Sequence, residues 1–178
     1  MKLQFVSLML ISLFVGSSFA GLDGIIVNEI VPDPSGPSNN IDTDQDGFFE
    51  STDEYVEFGN TTGAAVDISG WQVYVEGGGT QVLRHTFSAS SSIAAGEFLG
   101  LVTNWDSPTA QPANIVEIGS GTSILANGGD HVLLLNPATN MYASWIYNGA
   151  TPTFTGLPAG AVEAMSVLDL GMDQDGVI

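Results

Sequence analysis

The chain has no cysteine, and its two lysine or arginine residues stand against 20 acidic ones. Without cysteine there is no disulfide staple, no thiolate nucleophile, no cysteine metal cage and no acylated lipoprotein anchor. A formal charge of −18 argues against nucleic acid and anionic lipid as partners, because both need Lys or Arg to neutralise phosphate. Histidine is nearly as scarce. His85 and His131 fall in strand-like stretches, with no zinc-spaced histidine pair and no Gly-x-Ser-x-Gly elbow anywhere in the chain. Beyond residue 20 there is no long apolar run and no sustained 3.6-residue period.

The N-terminus does carry an apolar run. Lys2 precedes Leu3 to Val15, and Ser18 and Ala20 place small residues before a cut after Ala20. This is the layout of a secretory signal peptide, and the run falls short of the roughly 20 apolar residues that a membrane span needs. Residues 1–20 are therefore expected to be removed. The secreted or cell-surface chain that remains is expected to have no further membrane insertion. Arg84 is then the sole Lys or Arg left, a composition suited to cations as partners and to salty surroundings.

Residues 21–178 are rich in Gly, Thr, Val, Ile and aromatics, with short apolar runs between turn clusters. That pattern predicts an all-β sandwich. Ile25–Val31 reads as the first strand, ended by Pro32, Pro34 and Pro37, which cannot donate to a ladder. Glu54–Phe58, Trp71–Val75, Val82–Phe87, Phe98–Val102, Ile115–Ile118, His131–Leu135 and Met141–Tyr147 read as further strands. Ile124–Leu125 and Ala164–Leu168 are weaker strand candidates. The predicted division is a signal peptide at 1–20, a sandwich at 21–150 and a C-terminal extension at 151–178.

Between the first two strands lies Asp42-Thr43-Asp44-Gln45-Asp46-Gly47-Phe48-Phe49-Glu50-Ser51-Thr52-Asp53. Oxygen side chains occupy positions 1, 3, 5, 9 and 12, with glycine at position 6, the spacing by which a twelve-residue loop wraps calcium. Asp42, Asp44 and Asp46 would ligate through carboxylates and Phe48 through its main-chain carbonyl. Glu50 would act directly or through water, and Asp53 would close the shell. Gly47 permits the bend. Five carboxylates in twelve residues repel one another without a counter-ion, so calcium is the expected cofactor. The loop resembles the calcium loops of dockerin modules, which also end in Asp, with Glu54 or Glu29 available to complete the shell. The upstream prolines exclude an entering helix, so this is no helix–loop–helix hand. Asp173-Gln174-Asp175-Gly176 repeats the start of the loop, which reads as the opening of a further acidic repeat in a longer protein.

Several short motifs occur in a definite order. They are Asn28-Glu29-Ile30, Asp53-Glu54-Tyr55-Val56-Glu57-Phe58-Gly59-Asn60, Val66-Asp67-Ile68-Ser69-Gly70-Trp71, Ile93-Ala94-Ala95-Gly96-Glu97-Phe98-Leu99, Asn127-Gly128-Gly129-Asp130 and Trp145-Ile146-Tyr147-Asn148-Gly149. Together they resemble the lamin-tail domain over about residues 24–149. The resemblance implies an immunoglobulin-like β-sandwich, a secreted or surface setting for bacterial members, and no common enzymatic activity.

The resulting expectation is a secreted, non-catalytic, calcium-binding module that meets an unknown protein or glycan. The alternatives are a carbohydrate-binding module, or an accessory domain of a larger secreted hydrolase. Tyr74, Trp71, Trp105, Trp145 and Tyr147 are the aromatics a sugar-stacking face would use, with Trp105 the best placed for exposure.

Overall fold

A computed structural model describes residues 21–35, 41–43, 45–76, 79–105, 109–151 and 153–171. The expected signal peptide, Asp44 and the Asp173–Gly176 repeat lie outside the described residues.

The expected all-β sandwich is what forms. Strands β1 (Ile25–Val31), β2 (Tyr55–Asn60), β7 (Phe98–Val102) and β8 (Ile115–Glu117) make one sheet in the order β1-β2-β7-β8. Strands β4 (Gln72–Glu76), β5 (Gln81–Thr86), β9 (His131–Asn136), β10 (Met141–Ile146) and β11 (Val162–Glu163) make the second, in the order β11-β10-β9-β4-β5. The short strand β12 (Leu168–Asp169) also pairs with β10, and β3 (Val66–Asp67) pairs with β6 (Ser92–Ile93) in a small corner ladder. Alternation does the work expected of it. Val56 and Phe58 of β2 turn inward, and Val73, Val75, Val132, Leu134 and Trp145 meet them in one buried cluster. Each such side chain contributes about 1.5–3 kcal/mol by leaving water.

The Asp67-Ile68-Ser69-Gly70-Trp71 element folds as a unit. The Asp67 carboxylate accepts the Ser69 N–H at 2.8 Å and sets the turn. Gly70 takes a left-handed φ of 75°, open to glycine without strain, and donates its N–H to Phe87 O at 2.9 Å. The turn thereby drops Ile68 and Trp71 into the core. Asn60 braces the neighbouring corner, its buried amide nitrogen lying 2.8 Å from the carbonyls of both Ala64 and Ile93.

The second sheet is covered on both faces. Tyr74, Leu133 and Leu135 point away from the sandwich core and are packed by Tyr142, Phe154, Leu157 and Ala161. This explains why His131–Leu135 is apolar without alternation, since every residue of β9 is buried. The segment after residue 150 therefore supplies this outer cover through Phe154, Leu157 and Ala161, while its later residues Ala164, Met165 and Leu170 pack against the sandwich core. Its strands fall at Val162–Glu163 and Leu168–Asp169, each pairing parallel with β10, rather than as one strand over Ala164–Leu168. Ile124 and Leu125 are buried but lie in a loop, because their N–H groups are taken by a carboxylate instead of a neighbouring strand.

Candidate functional site

The 42–53 loop spans β1 and β2, which pair directly with Val31 opposite Tyr55, so its two ends are held close by the ladder. The loop's carboxylates collect its own main-chain donors. Asp42 accepts the N–H of Asp46 at 3.1 Å and of Gly47 at 2.9 Å, one on each oxygen. Asp46 accepts the N–H of Phe48 at 2.7 Å. Asp53, almost wholly buried, accepts the N–H and hydroxyl of Thr43 at 2.8 and 3.0 Å on one oxygen. Its other oxygen accepts the Glu50 N–H at 3.0 Å. Positions 2 and 12 of the loop are thus clasped together, and a 3₁₀ turn at Ser51–Asp53 leads the chain into β2. Gln45 and Gly47 have left-handed φ values of 64° and 94°, which makes the bend that a wrapping loop requires.

Of the six expected ligands, Asp42, Asp46, Phe48, Glu50 and Asp53 are described, and the sixth, Asp44, is not. Among the described residues, no three loop carboxylates bring oxygens within 4.8 Å of one another. An ion here would therefore draw on Asp44, main-chain oxygens or water as well as Asp42 and Asp46. Glu54 and Glu29 are committed elsewhere. Glu54 is 1 % exposed and accepts Ser123 Oγ at 2.6 Å, Ile124 N–H at 2.7 Å and Leu125 N–H at 2.9 Å. Burial pushes its carboxyl above the usual range, against the pull of those three donors. Glu29 accepts the Tyr55 hydroxyl, while its cross-strand partner Glu57 accepts Asn28 Nδ2 at 2.7 Å. Burial first, and then Glu29, raise the Tyr55 phenol well above the ordinary tyrosine range.

Two aromatic residues ride on the loop. Phe48 is 66 % and Phe49 42 % exposed, so the acidic segment presents apolar rings to solvent. The rings expected to stack on sugar are placed differently. Trp71, Tyr74, Trp145 and Tyr147 are buried, because each sits on an inward or covered face of the second sheet or next to it. Trp105, expected to be the best placed of them for exposure, is the least buried of the five, half-buried with its Nε1–H donated to Thr109 O at 3.3 Å.

A second carboxylate group was not legible in the sequence. In the Asn127-Gly128-Gly129-Asp130 turn, Gly129 has a φ of 118°, and a Cβ there would lie 2.8 Å from Asn148 O. Only glycine fits on both counts. The turn aims Asp130 inward, where it accepts N–H groups from Glu76 at 3.1 Å, His131 at 2.6 Å and Ala126 at 3.1 Å. Burial pushes its carboxyl up to about 6, the main-chain donors opposing and Glu76 adding to the rise. His131 Nδ1 lies 3.0 Å from Glu76 Oε2. Glu76 and Asp130 are 54 positions apart, so only the β4–β9 pairing unites them.

The lamin tail domain family matches the chain over residues 20–149. The chain belongs to the lamin tail domain family. This match and the two facing sheets make the fold an immunoglobulin-like β-sandwich. The family is one of non-enzymatic immunoglobulin-like modules. No curated protein shows a significant match to the chain. The lamin-tail match ends ahead of Phe154, Leu157 and Ala161, which cover the second sheet's outer face.

Proposed function

We propose that this lamin tail domain is a non-catalytic, extracellular interaction module whose 42–53 loop binds calcium as a brace. The observation that supports this reading best is the folded state of the acidic loop. Asp42, Asp46 and Asp53 already hold its backbone in a bend through left-handed Gln45 and Gly47. Asp42 and Asp46 would supply carboxylate oxygen, Phe48 its carbonyl, and Glu50 an outer oxygen or a water contact. Asp44 would add a third carboxylate. Calcium takes six to eight oxygens in adaptable geometry, which suits a loop of mixed side-chain and main-chain donors. Asp53, which clasps the loop through Thr43 and Glu50, would close the shell as the last ligand.

The consequence is mechanical. The loop joins two strands that are already paired, so an ion there restrains a long crossover and cannot open one element against another. Exposed Phe48 and Phe49 would be presented at a fixed angle by the braced loop. The signal-like N-terminus and the lack of cysteine suit a module outside the cell, where an ion can substitute for a disulfide. Isothermal titration with calcium chloride tests the reading. A dissociation constant on the order of 10⁻⁴–10⁻³ M, as in extracellular modules, and its loss in Asp42→Asn are expected. No heat up to several millimolar calcium overturns it.

A further inference from the structure

The corner of Glu76, Asp130 and His131 has a chemistry the acidic loop lacks. One ligand atom from each lies within 4.8 Å of the others. Asp130 and His131 are 2 % and 4 % exposed, so one carboxylate and the imidazole are nearly dry, and the second carboxylate, Glu76, joins them from the surface side. The Asp130 Oδ1 carries two main-chain N–H bonds and Oδ2 one, that of Ala126, and a carboxylate oxygen has two lone pairs. Asp130 is thereby fixed in orientation with accepting capacity left on Oδ2.

A fourth side chain points at the same spot. Gln81, 4 % exposed, sets its amide nitrogen 3.2 Å from His131 Nδ1, and its Oε1 is buried with no hydrogen-bond partner. Nδ1 therefore faces a donor, Gln81 Nε2, and an acceptor, Glu76 Oε2, at once. If it is protonated it meets the amide donor, and if it is bare it meets the carboxylate. Turning the amide over exchanges two atoms of nearly the same size, presents Oε1 to Nδ1 and relieves the orphaned oxygen. The result is an imidazole nitrogen surrounded by oxygens from Glu76, Asp130 and Gln81. No Lys or Arg is among these groups, and Phe154 closes the other side, its ring centroid 5.2 Å from that of His131. Glu76 is the partly exposed member, with a third of its side chain open. It opens onto a cavity of about 280 Å³ lined also by Gly129, Ala150, Thr151 and Thr153.

We propose that Glu76, Asp130 and His131, with Gln81 Oε1 as a fourth donor, bind one zinc-class divalent ion, separately from any calcium in the acidic loop. Imidazole with carboxylate suits zinc and its first-row neighbours, whereas calcium takes oxygen alone. Adjacent ligands on a tetrahedral ion bonded at 2.0–2.2 Å stand about 3.3–3.6 Å apart, so the 3.0 Å between His131 Nδ1 and Glu76 Oε2 has only to open by a few tenths of an ångström to admit one. The bound ion would join the β4–β5 hairpin to β9 beneath the covering segment.

The test uses the whole chain, titrated with zinc chloride in excess calcium, and cobalt(II) as an optical probe. One saturable zinc site that calcium does not displace is expected. Glu76→Gln, a change at a partly exposed position, and His131→Gln should each weaken it on the order of tenfold to a hundredfold. Both should also remove the cobalt visible bands. His85→Gln alters the other of the two histidines and should change neither, as should Asp42→Asn in the acidic loop. Circular dichroism and urea midpoints show which variants remain folded, and Glu76→Gln alone suffices if His131→Gln does not. Absence of saturable zinc binding overturns the proposal. So does zinc binding that survives Glu76→Gln or is lost in Asp42→Asn, since the ion would then belong to the loop.

Discussion

Two groups of carboxylates in this protein show what burial does to one residue type. In the 42–53 loop Glu50 is exposed, Asp42 and Asp46 are half-buried and bond to donors two to five residues away, and only the buried Asp53 reaches farther, ten residues back to Thr43. In the sandwich Glu54 and Asp130 are buried, and they bond to donors that lie up to 71 residues away. The first group shapes a local bend and leaves charge at the surface. The second joins distant segments, and its members sit above the usual carboxylate range because burial disfavours their charge. Charge density in the sequence therefore marks out the loop, whereas the interior carboxylates are legible only through the partners that surround them.

The sharpest way to break that contrast is Glu54→Ala. It strips the acceptor from Ile124 and Leu125 N–H and from Ser123, leaving buried donors whose desolvation goes unanswered. Denaturant unfolding should show a loss of about 3 kcal/mol; a change under about 1 kcal/mol would mean that the 123–125 segment is held by its apolar side chains alone. Asp53→Ala should have a smaller effect, about 1–2 kcal/mol, because its donors from Thr43 and Glu50 are nearer solvent and can find water. An equal or larger loss than for Glu54 would reverse the ranking of the two groups.

The first strand and Phe98–Val102 were legible to the residue, since Ile25–Val31 and the Phe98 run have turn signals at both ends. The corner motif around Trp71 was legible because its turn chemistry is local. The outer cover was not. Phe154, Leu157 and Ala161 are spread through a segment with no period, and only the far face of β9 gives them a place. The division of labour at the acidic loop was half legible. Its spacing points to an ion, but Asp53's turn toward Thr43 and Glu54's reach to Ser123 depend on tertiary contacts.

A titration tests the effect of burial at His85 in the same terms. Burial lowers the His85 pKa below its ordinary value, with Phe87 packed edge-on at 4.9 Å. A depressed base leaves stability intact above the unfolded value of about 6.5 and removes it as pH falls through the folded value. Urea midpoints should therefore fall between about pH 7 and 5 by more in the parent than in His85→Gln. Identical slopes would assign the whole acid response to other groups.

The brace itself is the central claim, and scanning calorimetry in calcium against a calcium-selective chelator tests it most directly. An ion bound only by the folded state at ten times its dissociation constant adds about 1.4 kcal/mol, or about 3–6 °C for a chain of this size. That rise is expected in the parent protein, and its disappearance in Asp42→Asn. Equal melting temperatures in calcium and chelator would contradict it.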